Sequence, residues 1–134
     1  MTITSDIVES IQRELACCTG SEEFYRHWTK RLRYTEGVET VQQRCGACWL
    51  TDAIASYQTP ALDAKCDGFQ VWTLKHNPEP GKPNRAVLTC KADSDKPEVV
   101  RQVIEFTDFP LPDGIKLYVE GVGTDRCLLL PSEH

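Results

Sequence analysis

Cys45-Gly46-Ala47-Cys48 has the spacing at which two thiolates can share a zinc ion or cycle as a dithiol. Either chemistry makes further demands. A structural zinc site needs two more ligands, yet Cys66, Cys90 and Cys127 stand singly and no second C-x-x-C or close histidine pair occurs. A redox pair belongs at a helix N-terminus just after a strand, whereas this pair falls between two helical stripes. Cys45 and Cys48 therefore remain metal candidates by spacing alone, are read as packing residues, and call for no cofactor. The chain has seven cysteines, an odd number, and MTITSDIVESIQREL lacks the cationic and apolar blocks of a secretory signal. Reduced thiols in the cytoplasm are the expectation.

Acid–base chemistry has three histidines to draw on, His27, His76 and His134, none placed by sequence beside a nucleophile. No G-x-S-x-G, H-E-x-x-H, phosphate-loop or dinucleotide glycine pattern is present, so an enzyme is not the expected reading. Two groups suggest binding. Asp52 is a carboxylate in the otherwise apolar run Trp49 to Tyr57, and with Tyr34, Glu36 and Trp72 it marks a candidate pocket between helices and sheet. In Thr107-Asp108-Phe109-Pro110-Leu111-Pro112, two prolines stiffen a loop carrying Phe109 and Leu111, either as anchors for a partner or as a plug for the sheet's open end.

A third group is cationic. Arg26, Lys30 and Arg33 recur at helical spacing opposite Phe24, Trp28 and Leu32, giving either a local anion or nucleic-acid patch or a solvated face paired with Glu22 and Glu23. The formal net charge of -5 argues against broad phosphate-backbone binding. Nucleic acid is accordingly the lesser alternative, and only through such a local patch.

These residues need elements to hold them. Apolar side chains every three to four residues predict helices over about 4–18, 21–33, 35–45 and 47–58, with Thr19 and Glu22 spaced as a capping box, Thr35 capping the third, Gly46 ending it, and Pro60 closing the helical region. Gln58 to Asp67 is then a connecting loop. After Gly68 the period changes to two, predicting strands over about 69–76, 86–91, 99–106, 115–120 and 127–130. The expected fold is α+β: one domain over 1–134, its N-terminal helices laid on one face of an antiparallel meander. With 134 residues a single core is the reasonable number, and no apolar run approaches the roughly 20 residues of a membrane span.

Taken in order, YTEGV (Tyr34 to Val38), WLTDAIASYQ (Trp49 to Gln58), FQVWTL (Phe69 to Leu74), TDFPL (Thr107 to Leu111), IKLYVE (Ile115 to Glu120) and the closing LLLPSEH resemble a small, functionally uncharacterised bacterial domain family. The resemblance implies cyanobacterial, plasmid or phage genomes and no assigned activity. It also implies that a thiol pair at Cys45 and Cys48 is not shared chemistry, since relatives carry a small residue and an aromatic there. The expected function is a non-enzymatic acidic binding protein that docks on a host or defence protein, with self-association left open. The alternatives are a small enzyme or ligand-binding domain using the Asp52 pocket, and nucleic-acid binding through the basic helix.

Overall fold

A computed structural model describes residues 5–18 and 24–134. In chain order the elements are α1 (Ser5–Ala16), β1 (Phe24–Arg26), β2 (Arg33–Thr35), α2 (Glu36–Cys45), α3 (Cys48–Ser56), α4 (Pro60–Cys66), β3 (Phe69–His76), β4 (Ala86–Lys91), β5 (Glu98–Ile104), β6 (Ile115–Glu120) and β7 (Cys127–Leu129). The fold is α+β, and no helix among the described residues is long and apolar enough to cross a membrane.

Three features depart from the sequence reading. The stretch expected as a helix over 21–33 is, from Phe24 onward, an antiparallel β1–β2 hairpin in which Tyr25 faces Tyr34 and Arg26 faces Arg33. The helical spacing of Phe24, Trp28 and Leu32 is coincidental: only Leu32 is buried, while Phe24 and Trp28 are exposed. The hairpin turns at Lys30, whose φ of 62 no helix interior could hold. The predicted helix start at Ser21 and the Thr19–Glu22 box lie outside the described residues.

Pro60 was expected to end the helical region, but it begins α4. Thr59 is the N-cap, accepting from the Leu62 amide, and proline at the first helical position loses nothing because that N–H has no partner inside a helix. The sheet, finally, has seven strands in the order β1-β2-β7-β6-β3-β4-β5 instead of four or five in a meander. It is mixed, since β2 and β7 run parallel, and β6 returns to pair with β3 instead of following β5.

That return is made by the proline loop. Thr107 donates its amide to the Asn84 carbonyl at 2.8 Å, and the His76 ring meets the Leu111 carbonyl at 2.9 Å, so the loop passes across the ends of β4 and β3. Gly114 then enters β6 with φ +72, where a side chain would collide with the Leu74 carbonyl oxygen at 1.8 Å. Phe109 and Leu111 are 4% and 5% exposed and belong to the main core.

Local signals elsewhere matched. Thr35 caps α2 by accepting from the Val38 amide, and Gly46 ends it in the left-handed region. The core lies between the helices and one sheet face, where Val38, Val41, Leu50 and Ile54 meet Trp72, Leu74, Leu88, Leu117 and Val119. Within it, Gln58 and Gln70 exchange amide hydrogen bonds at 2.9 Å, and the Trp72 indole donates to Gln70 Oε1 at 2.8 Å. The amide pair thereby satisfies a buried indole at the centre of the sheet.

The two ends of the chain are joined to the middle by Arg126. Its guanidinium is bidentate on Asp63 of α4, at 2.9 Å from Nε and 2.6 Å from its NH2 group, and donates again to the Arg31 carbonyl at 3.2 Å. Both side chains are largely buried, and hydrogen bonding from Arg126 holds the Asp63 carboxyl below its usual range. Arg126→Ala leaves that carboxylate without its cation and is expected to destabilise the protein by roughly 3 kcal/mol in denaturant melts. Because the folded pKa is depressed, the Asp63 contribution is present above the unfolded value of about 3.9 and is lost as pH falls through the folded value. The stability gap between the wild type and Asp63→Asn should therefore narrow on acidification below about pH 4; a gap unchanged with pH would contradict the assignment.

Candidate functional site

The residues expected to share a pocket do not meet in one. Trp72 is 1% exposed and committed to the glutamine pair. Tyr34, on the helix side of β2, stacks on Tyr25 with ring centroids 5.5 Å apart, and burial raises its hydroxyl pKa. Glu36 opens the first turn of α2, where a carboxylate complements the helix dipole. None of the four main clefts is lined by Tyr34, Glu36, Asp52 or Trp72.

Asp52 has a definite task. Its Oδ1 meets His27 Nε2 at 2.7 Å and accepts from the Trp28 indole at 3.0 Å. The other imidazole nitrogen, Nδ1, lies 2.8 Å from the Thr29 hydroxyl and accepts from the Thr29 amide at 3.2 Å. A nitrogen that accepts from an amide carries no proton, so the hydrogen-bond network assigns the proton to Nε2, donated to Asp52. The order carboxylate, imidazole, hydroxyl is that of a nucleophile relay, but here the basic lone pair is occupied in closing the hairpin turn. With His27 buried, the cluster ties the hairpin to α3 and holds Trp28 in place with 77% of its surface exposed.

The thiol pair splits. Cys45 ends α2 and is buried, which pushes its pKa up to about 11, while Cys48 begins α3 and is exposed. A thiol so shifted is protonated at neutral pH, the opposite of what a dithiol nucleophile requires. No group of three or more ligating side chains occurs among the described residues. The basic patch is likewise rearranged: Arg26 and Arg33 are cross-strand partners, Arg33 lies 5.0 Å over the Phe24 ring, and Lys30 occupies the turn.

A cationic site lies elsewhere, on the sheet face turned away from the helices. Val71 and Val87 are buried but stand apart from the main core. With Thr73 and Thr89 they line a cleft of about 470 Å³ to which Lys75 of β3, Lys91 of β4, Arg101 of β5 and Lys116 of β6 also contribute. One cation thus comes from each of four neighbouring strands. Register explains the convergence, because Lys116, Thr73, Thr89 and Arg101 form one row across the sheet, and Tyr118, Val71 and Lys91 form the next. Glu98, the one carboxylate lining the cleft, is paired with Arg101 at 3.1 Å. Lys75, Lys91 and Lys116 have no ion-pair partner among the described residues.

Sequence reasoning missed this site, although part of the signal was present. In FQVWTLKH, AVLTCK and IKLYVE each lysine has the parity opposite the core residues, so an outward cation per strand was readable. That the outward cations converge depends on strand order, which the pattern does not carry.

The hairpin anchor gives a direct test. Asp52→Ala removes the acceptor shared by His27 and Trp28 and is expected to cost about 1–3 kcal/mol, with faster hydrogen exchange at the Trp28 indole and at the His27 amide. Wild-type stability and unchanged exchange at both positions would refute the anchoring role.

No curated protein and no solved structure matches the sequence. One family model does, over residues 9–134, and on that match the chain belongs to the family of unknown function DUF6876.

Proposed function

We propose that this chain is a non-enzymatic binding protein whose working surface is the helix-free face of the sheet, where the cleft between β3, β4, β5 and β6 holds an anionic partner. One observation carries the reading: an acidic chain of net charge -5 gathers Lys75, Lys91, Arg101 and Lys116 around one apolar-floored cleft. Like charges brought together repel, so three lysines with no ion-pair partner among the described residues stand at a cost that an incoming anion relieves. The acidic remainder of the surface repels the same anion and so directs it to this face.

The test is titration with inorganic polyphosphate at low ionic strength. Binding should weaken steeply as salt rises, and Lys75→Glu with Lys116→Glu should lower affinity at least about tenfold and flatten the salt slope. Both substitutions are at exposed strand positions facing away from the core, so the fold should persist, which circular dichroism checks. No binding at low salt, or equal binding by the variant, would remove the reading.

A second reading, docking on a protein, is favoured by Trp28. Its exposed indole is fixed by Asp52, which lowers the ordering cost of a contact and suits an anchor in an interface. This is the form in which inhibition or modulation of a host or defence protein, in a phage or plasmid setting, would operate. Phe109 and Leu111 cannot serve it, being buried under the crossover.

A further inference from the structure

Resting on that cleft, we infer that the anionic partner is single-stranded nucleic acid, its phosphates held by the cleft cations and its bases stacked on Tyr118 and Phe69. The argument begins with what the cations surround. An anion recognised by charge alone has no use for an apolar floor, yet Val71 and Val87 lie among the lysines, and Tyr118 is the strand partner of Val71. Tyr118 also lies two residues along β6 from Lys116, about 7 Å on the same face.

The aromatic surface continues from there. Phe69 and Tyr118 have ring centroids 5.0 Å apart, and the His134 ring lies 5.4 Å from the first and 5.5 Å from the second. Both Phe69 and Tyr118 are half-buried, anchored in the sheet. Beyond them, Phe69, Glu120, Cys127, Arg33 and Arg26 form a further row across β3, β6, β7, β2 and β1. Glu98 at the cleft is held by Arg101, and Glu120 beside Phe69 meets the His134 ring.

A ligand that matches the whole surface needs flat apolar faces next to regularly spaced negative charges. Unpaired bases offer their faces; paired bases hide theirs inside the duplex, leaving only phosphates on a cylinder that cannot enter the cleft. Stacking platforms beside electrostatic grooves are the physical basis of single-strand binding on sheet surfaces. Recognition of this kind tolerates many sequences, because every base has a π-face.

The experiment compares four fluorescent or competing probes on the intact chain: a single-stranded oligo(dT), an oligo(U) of the same length, a duplex of equal phosphate count, and inorganic polyphosphate, with polyglutamate as an acidic-peptide control. Two variants accompany it, Tyr118→Leu, which keeps apolar volume without a π-face, and Tyr118→Phe, which keeps the ring. The expected result is tighter binding of the single strands than of duplex or polyphosphate. Tyr118→Leu should weaken the single strands by about tenfold while leaving polyphosphate unchanged, and Tyr118→Phe should bind as wild type. If polyphosphate binds as tightly as the oligonucleotides and Tyr118→Leu alters neither, the stacking inference fails while the anion cleft survives. Duplex or polyglutamate binding best would also overturn it, in favour of backbone charge or an acidic protein. If no probe binds, the cleft reading and this one fall together.

Discussion

The fold turns on one guanidinium. Arg126 reaches Asp63 on α4 with its side chain, returns to the Arg31 carbonyl before β2, and offers its own carbonyl to the Arg33 amide at 3.0 Å. These bonds join an N-terminal hairpin, a central helix and the last strand at a single point. A parallel contact between β2 and β7 closes a loop of more than ninety residues, which is entropically dear and does not form for the sake of two short strands alone. A charge-assisted, bidentate pair in a largely buried setting fixes Arg126 against α4, and the bonds from the same residue to the Arg31 carbonyl and the Arg33 amide tie it to β2.

Glu133 closes the same junction from the other side. Its carboxylate accepts from the Thr35 hydroxyl at 2.6 Å, the Gly37 amide at 3.3 Å and the Leu130 amide at 3.0 Å. The negative group thus sits at the N-terminus of α2, satisfying donors that a helix leaves unpaired. A Cβ on Gly37 would fall 2.5 Å from the Glu133 oxygen, so a larger residue there would displace that side chain. Two of the sequence blocks behind the family resemblance, YTEGV and LLLPSEH, are therefore the two halves of one contact.

What the sequence disclosed and what it withheld divide along the same line. Elements fixed by local chemistry were legible: Thr35 and Gly46 bound α2, and the alternation of β3, β4 and β6 separates their core and outward faces. Elements fixed by distant partners were not. Phe24 to Thr35 is a strand pair because β7 is there to receive it, and nothing within those residues reveals β7. The spacing of Phe24, Trp28 and Leu32 then misled: a helix would set Phe24 opposite Arg26 and Arg33, whereas strand parity places Phe24, Arg26 and, across the turn, Arg33 on one face. The expected boundary at Gly68 between helices and strands fails for this reason, with β1 and β2 preceding it. Pro60 was ambiguous in a different way, because proline is equally suited to follow one helix and to open the next.

The candidate site shows the same dependence on topology. Had β6 followed β5 at the sheet edge, as in a meander, Lys116 would lie beyond Arg101 and the β3 lysine would face an empty edge. Threading the proline loop across the sheet ends brings β6 to β3, so that Lys116 faces Thr73 and Tyr118 faces Val71. Phe109 and Leu111 thereby shape the cleft without lining it: their burial holds the crossover that sets the strand order. The helices take no part in the cleft, but by filling the opposite face they fix the parity of every strand. An outward cation is then outward on all four strands at once, and a cationic, apolar-floored surface follows from a core that never contacts it.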